Sequence, residues 1–191
     1  MKRSEINQSI REALDFLAEH RFLLPEWATW TPRMWGTHGE TCREIRDNAL
    51  GWDVTDFGKR NFAQEGLTLF TIRNGNPARD RKTYCEKIMF VREGQTTPIH
   101  FHWHKMEDII NRGGGDLCMK LWRADDKEGM TDAPCSFQID GITTTVRAGE
   151  VLRLRPGQSI TFEPYMYHTF WAEGGHCMAG EVSTVNGDTA D

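Results

Sequence analysis

The segment IHFHWHKMED concentrates side chains that can bind a metal ion. His100 and His102 are two residues apart, and Glu107 follows five residues later. In a strand, residues two apart point to the same face, so this spacing predicts two imidazoles directed at one point. A turn at HKM would then bring the Glu107 carboxylate back on the next strand. Two ring nitrogens and one carboxylate oxygen suit a divalent metal ion.

The wider spacing around these residues resembles the first conserved motif of the cupin superfamily. Gly94, His100, His102, Glu107 and Gly114 stand at its spaced positions, and the two glycines are expected to supply turns that bracket a pair of strands. In that superfamily the motif supplies three of four metal ligands. The resemblance therefore implies an all-β fold, a cupin jelly-roll β-barrel, with the metal inside.

A later stretch, PYMYHTFW, is similar to the second cupin motif, which supplies the fourth ligand. The resemblance implies His168 for this role, although it follows Pro164 by four residues and Met166 occupies the place of the usual glycine. This donor set suits Mn²⁺, Fe, Co, Ni and Zn alike. On an octahedral ion, two positions would remain for a pair of neighbouring sugar oxygens.

The remaining histidines are weaker candidates. His104 would share the face of His100 if the strand continued, but Lys105 and the coming turn place it at the rim, where it either contacts substrate or a ligand or is simply exposed. His20, His38 and His176 are expected at the surface.

The elements that position these residues follow from periodicity. Ile6, Ile10, Leu14 and Leu17 have helical spacing, which predicts an amphipathic helix over about residues 4–20, with Ser4 as N-cap, packed outside a sheet or on a neighbouring subunit.

Two further regions complete a chain of 191 residues, a length that suits one domain. Residues 21–65 are rich in Trp and Pro and predict a peripheral packed segment, a lid or an arm. Residues 66–186 hold short strand-like runs between Gly and Pro turns, which predicts the β-barrel.

Composition excludes several classes of partner. The net charge is −5 and the 23 basic residues are scattered, which argues against binding to nucleic acid or a membrane surface. The N-terminus lacks the apolar stretch of a signal peptide, and the five cysteines form no CxxC pair. We therefore predict a cytoplasmic protein with reduced thiols.

A closer resemblance covers most of the chain. The pieces MKRSEIN, WDVTDFG, YCEKIMF, TTPIHFHWHKMEDIINRGGG and GEVSTVN are together similar to the bacterial D-lyxose isomerase family. This resemblance implies a sugar isomerase that interconverts D-lyxose and D-xylulose, often also D-mannose and D-fructose. It further implies manganese as the usual metal and a homodimer as the usual assembly.

Such an isomerisation moves a proton between two carbons, so we look for an acid or base besides the ligands. Glu181 is the best candidate, because it shares a strand face with the small residues Cys177, Ala179 and Ser183, which leave room for a ligand. The alternative is a solvated strand carboxylate.

Lys87 is the second candidate. It shares its predicted face with Met89 and Val91, where an inward cation would hydrogen-bond a sugar oxygen or donate a proton; otherwise it is a surface lysine. Asp108 points to the face opposite Glu107 and is expected to be structural. Two other functions stay open on the residues alone, an iron-dependent cupin dioxygenase and a non-catalytic sugar-binding cupin.

Overall fold

The computed structural model describes residues 1–187 and confirms an all-β architecture with an N-terminal helix. The helices are α1 (Arg3–Glu19), α2 (Pro32–His38) and α3 (Arg43–Asp47), with 3-10 turns at Glu26–Thr29 and Gly39–Cys42. The strands are β1 (Gly51–Thr55), β2 (Leu67–Asn74), β3 (Tyr84–Val91), β4 (Glu107–Arg123), β5 (Cys135–Ile139), β6 (Ile142–Val146), β7 (Leu152–Leu154), β8 (Ser159–Phe162) and β9 (Met166–Thr184).

Two long strands form the spine of the sheet. β4 and β9 pair antiparallel along their lengths, from Glu107 opposite Ser183 to Arg123 opposite Met166. The strand order is β1-β2-β3-β9-β4-β8-β5-β6, and β7 pairs with β4. The strands around the site, β3, β7 and β8, therefore each attach to one member of this pair.

The spine is interrupted by bulges at the glycines of β4. The register shifts between Asn111 and Gly113 and again between Gly114 and Asp116. Gly114 has a φ of 87°, and a Cβ there would lie 2.2 Å from the carbonyl oxygen of His176. The prediction that Gly114 makes a turn was wrong: it allows a bulge, which bends the strand without ending it.

Alternation along β2, β3 and β9 separates two apolar cores. Side chains such as Met89 and Ala179 enter the barrel interior, where they join residues of β4 and β8. The intervening side chains, Phe70, Ile88 and Met178, form a second cluster outside the sheet. Since successive strand residues face opposite sides, one set of strands serves both cores.

Helix α1 covers this second cluster, which confirms that it packs on the outside of the sheet. Ser9 Oγ lies 2.8 Å from Thr68 Oγ1, and Arg92 pairs with Glu12 at 2.5 Å. The helix begins after Lys2, so Ser4 is not the predicted N-cap but a residue of the first turn.

The Trp-rich segment is more ordered than its composition predicts. It includes α2, α3 and β1, and β1 pairs with β2, so the sheet already begins at Gly51 and not at residue 66. The rings of Trp27 and Trp52 lie 4.7 and 5.0 Å from that of Phe70. The segment therefore forms an outer wall of the barrel.

Truncating Phe70, the β2 residue on which this wall packs, tests how much the contact stabilises the fold. Phe70 is fully buried, so Phe70→Ala should lower the free energy of unfolding in urea by about 3–5 kcal/mol through lost burial and a cavity. Leu23→Ala is the control, because Leu23 is 86% exposed and should change it by less than about 0.5 kcal/mol. Equal effects of the two substitutions would contradict this packing.

Candidate metal centre and active site

The segment carrying His100 and His102 is an anchored loop and not the strand that the sequence predicts. It follows Pro98, which has no amide hydrogen to donate to a ladder. The backbone of His100 forms an isolated bridge with His168, with N–O distances of 3.1 and 2.8 Å, and Tyr165 N donates to His102 O at 2.9 Å. These bonds to the start of β9 hold the loop in place.

The loop brings the four predicted ligand residues together. One ring nitrogen from each of His100, His102 and His168 lies within 4.8 Å of the others. Glu107 Oε1 lies 3.3 Å from His168 Nε2 and 3.7 Å from His102 Nε2. His168 and Glu107 are almost fully buried, at 2% and 3% exposure, and His100 and His102 are partly buried.

Backbone carbonyls orient two of the imidazoles. His100 Nδ1 lies 2.9 Å from Pro98 O, and His168 Nδ1 lies 3.0 Å from Met166 O. A carbonyl can only accept, so each Nδ1 carries a hydrogen and each Nε2 presents a lone pair. Burial lowers the pKa of His100, and burial followed by the nearby His100 lowers that of His168 well below its usual range. Both rings are therefore neutral and able to bind a metal.

The surroundings of the Glu107 carboxylate indicate whether a cation fits among the four predicted ligands. Its Oε1 is buried and makes no hydrogen bond to any residue in the described range 1–187. It nevertheless faces the Nε2 lone pair of His168, an arrangement that repels unless something positive lies between them. A divalent ion among these donors would satisfy both atoms, so the residues fit a metal.

The other oxygen of Glu107 contacts a residue that the sequence interpretation missed. Lys105 Nζ lies 2.7 Å from Glu107 Oε2 and 3.3 Å from Glu181 Oε1, and Lys105 is only 5% exposed. We expected this stretch at the rim, but these contacts place the Lys105 ammonium against the carboxylates of Glu107 and Glu181. His104 beside it is exposed, as one of the two alternatives had it.

Glu181 and Lys87 are direct cross-strand partners. They lie opposite each other on β9 and β3, with Lys87 Nζ 3.1 Å from Glu181 Oε1, and both are buried. Lys87 is therefore not the surface lysine of the alternative interpretation. Asp108 instead accepts a hydrogen bond from Thr161 Oγ1 at 2.6 Å, in keeping with a structural role.

The two buried carboxyl groups differ in acidity. Burial, reinforced by the charge of Glu181, raises the pKa of Glu107 to about 7. Burial acts in the same direction on Glu181, but Lys87 and Lys105 together outweigh it and lower the pKa of Glu181 to about 2. Glu181 is thus ionised throughout the physiological range, whereas Glu107 exchanges a proton near neutrality.

A cleft of about 960 Å³ leads to these charges from outside. Its lining includes Lys87, His104 and Lys105. Other lining residues come from the Trp-rich segment at 47–53, from 74–77 and from 184–187. A small polar molecule in this cleft would therefore lie against the side chains of Lys87 and Lys105.

The other histidines lie away from this centre. His176 is exposed, as predicted. His20 and His38 are half-buried: His20 Nδ1 lies 2.9 Å from Phe16 O, and the ring of His38 stacks on Trp30 at 3.8 Å. Their contacts are with helix and wall residues.

Comparison with known sequences gives a match over the full length. The sequence model of a protein family described as D-lyxose isomerase matches residues 1–191. A protein of Escherichia coli O157:H7 named D-lyxose/D-mannose isomerase is 48% identical over 196 residues, covering 100% of this chain and 86% of the relative. A protein of Serratia proteamaculans with the same name is 47% identical over the same coverage.

Comparison with solved structures shows the fold. The L-ribose isomerase of Acinetobacter sp. DL28, in complex with L-ribose, has a TM-score of 0.63 at 17% identity, over 97% of this chain and 82% of that one. The ligand-free L-ribose isomerase of Cellulomonas parahominis has a TM-score of 0.60 at 16% identity, over 100% and 87%. The predicted cupin jelly-roll barrel is confirmed by this likeness.

Metal binding should stabilise the fold through these ligands. Mn²⁺ added to chelator-treated protein at about one hundred times its Kd should raise the free energy of unfolding by about 2.7 kcal/mol, seen as a higher Tm. His168→Ala should remove that increase, whereas His176→Ala, at an exposed histidine outside the cluster, should keep it. An unchanged increase in His168→Ala would contradict the site.

The raised pKa of Glu107 gives metal affinity a pH dependence. An incoming ion must displace the proton of Glu107, so the apparent affinity for Mn²⁺ should fall about tenfold per pH unit below about 7 and level off above it. The pKa values of His100 and His168 already lie below their usual range, so these two rings add little there.

Calorimetric titrations across that range measure this slope. Glu107→Gln should bind weakly without the slope, and Asp108→Asn, a neighbour on the opposite face, should retain it. Equal affinity on both sides of neutrality in the unsubstituted protein would contradict the assignment.

Proposed function

The chain belongs to the D-lyxose isomerase family and is an aldose–ketose isomerase, a D-lyxose ketol-isomerase, and we propose that its buried histidine–carboxylate centre performs this reaction. The substrates we propose are D-lyxose and D-xylulose, with D-mannose and D-fructose as a second pair, in line with the names of its relatives. The observation that carries the proposal is the cluster of two carboxylates and two ammonium groups beside three converging histidines.

We propose that His100, His102, Glu107 and His168 hold a divalent metal ion, with Mn²⁺ as our choice among the ions this donor set accepts. The unsatisfied Oε1 of Glu107 supports this assignment. When bound, such an ion supplies Lewis-acid polarisation of a sugar carbonyl and offsets negative charge on the neighbouring oxygen.

The proton transfer falls to Glu181 in this proposal. Isomerisation through a cis-enediol requires a group that takes the proton from C2 of the aldose and returns it to C1. Glu181 is ionised and therefore ready to accept a proton, but two ammonium groups weaken its basicity. Sugar oxygens that accept hydrogen bonds from Lys87 and Lys105 would draw those groups away and so strengthen the base.

Burial assists the transfer. Glu181, Lys87 and Lys105 are 5–8% exposed, so little bulk water reaches a proton carried on the Glu181 carboxyl group. In such surroundings, electrostatic interactions are also stronger than in water. The same two lysines can bind the sugar and steady the negative charge that develops on its oxygens.

We also propose a homodimer and a cytoplasmic location. Ile99, Trp103 and Tyr165 are 39–49% exposed on and beside the ligand loop, which supports a partner surface there. The five cysteines are all free thiols, which suits a reducing compartment.

No helix among residues 1–187 has the length and apolarity needed to cross a membrane.

Removing the proposed base separates chemistry from metal binding. Glu181→Gln should reduce turnover by about 10²–10⁴-fold, while Mn²⁺ still raises the Tm. Glu163→Gln, at an exposed carboxylate, is the control and should keep full activity. Full turnover by Glu181→Gln would rule out its role as proton carrier.

Substrate and mechanism are tested together in D₂O. Mn²⁺-loaded protein incubated with a panel of aldoses should convert D-lyxose and D-mannose to ketoses without consuming oxygen. Solvent deuterium should appear at C2 of the recovered aldose, because the proton passes through an ionisable side chain. Conversion with no deuterium uptake would favour a hydride shift, and oxygen consumption would favour a dioxygenase.

A further inference from the structure

Three asparagines join separate parts of the chain beside the active-site cleft. Asn48 follows α3, Asn74 ends β2, and Asn186 lies two residues beyond β9. They are far apart in sequence, yet Asn48 and Asn74 are buried and all three line the cleft. Buried amide groups are normally hydrogen-bonded, so the partners of these side chains show which parts of the chain they hold together.

Asn74 fixes the backbone of the other two. Its Oδ1 accepts from Asn186 N at 3.0 Å, and its Nδ2 donates to Asn186 O at 3.0 Å. Asn48 Nδ2 donates to Asn74 O at 2.8 Å, and Asn74 Nδ2 donates back to Asn48 O at 3.3 Å. Both donors of the Asn74 amide are therefore used, and residue 186 is held although it lies outside the β-ladder.

The side chain of Asn186 is thereby directed at the active site. Its Oδ1 accepts a hydrogen bond from Lys87 Nζ at 2.8 Å. The contacts of the same ammonium with the two oxygens of Glu181 are longer, at 3.1 and 3.4 Å. Hydrogen-bonded pairs between an ammonium and a carboxylate usually lie at about 2.7–2.9 Å. The shortest of these contacts of Lys87 is thus with a neutral amide.

We propose that Asn186 is a positioning residue that holds Lys87 back from Glu181. A lysine side chain is long and flexible, and without a second acceptor the ammonium would close onto the carboxylate. A closer pair would make Glu181 a still weaker base and would leave Lys87 less available to a sugar oxygen. This inference rests on the proposed function, since it assigns Asn186 an effect on the proton carrier of that reaction.

Substitutions at position 186 test the proposal. Asn186→Leu keeps the size of the side chain but removes the oxygen, and it should lower kcat for D-lyxose about tenfold while changing KM less than about threefold. Asn186→Asp restores an acceptor and should bring kcat back to within about threefold of the unsubstituted enzyme. Asn61→Leu, in an exposed turn away from the cleft, should leave both constants unchanged.

A second variant tests the same contact by changing Asn74, which holds the backbone of residue 186. Asn74→Asp replaces the donor that faces the carbonyls of Asn186 and Asn48 with an acceptor, so it should release residue 186 and lower kcat in the same direction. Crystal structures should then show Lys87 Nζ closer to Glu181 in both Asn186→Leu and Asn74→Asp. A purely structural role would lower the Tm without this shift and without the recovery by Asn186→Asp.

The outcomes separate this inference from the function on which it rests. Turnover by the unsubstituted enzyme together with wild-type kcat in Asn186→Leu would overturn the positioning role and leave the isomerase intact. An unsubstituted, Mn²⁺-loaded enzyme that converts no aldose would overturn both. A loss of kcat that Asn186→Asp does not repair would also count against the positioning role.

Discussion

The two oxygens of the Glu107 carboxylate lie in different environments, and the rest of the site depends on this difference. One oxygen faces the neutral imidazole of His168 and the other pairs with Lys105, which also contacts Glu181. A buried carboxylate and a buried ammonium would each be costly alone, and together they are acceptable only if every charge has a partner. Lys105 thus connects the candidate metal centre to the candidate proton carrier.

The fold supplies the geometry for this connection. Glu107 begins β4 and Glu181 lies near the end of β9, so the antiparallel pairing of the two long strands brings these carboxylates to one end of the barrel. The glycine bulges allow both strands to bend and continue, so the other half of β9 can carry His168 to the same point. The outer wall of helices and tryptophans then covers the reverse face of β2 and β3, opposite the side that bears Lys87.

Much of the site could be predicted from the sequence, because it depends on the alternation of side chains along a strand and on the spacing of residues within a motif. The alternation of small residues around Glu181 correctly indicated an inward face, and the motif spacing selected four residues that do lie together. The expectation of alternating side chains failed where the backbone leaves the strand conformation, as it does between Pro98 and Glu107. There the histidines converge because backbone bonds to β9 fix a loop, which no periodicity encodes.

Features that depend on long-range contacts were the ones missed. The strand β1 is only five residues long and lies within the Trp-rich segment, so it became recognisable through its pairing with β2. The burial of Lys105 follows from two carboxylates on separate strands, and the asparagine network joins residues up to 112 positions apart. Such contacts can be recognised only once the strands are assembled.

Anomalous diffraction from Mn²⁺-loaded crystals tests the central claim most directly, because it locates the ion without reference to activity. We expect a single strong peak within coordination distance of His100, His102, His168 and Glu107 Oε1, with Lys105 still bonded to Glu107 Oε2. A peak elsewhere, or a coordination sphere that omits Glu107 while Lys105 holds both of its oxygens, would contradict the account.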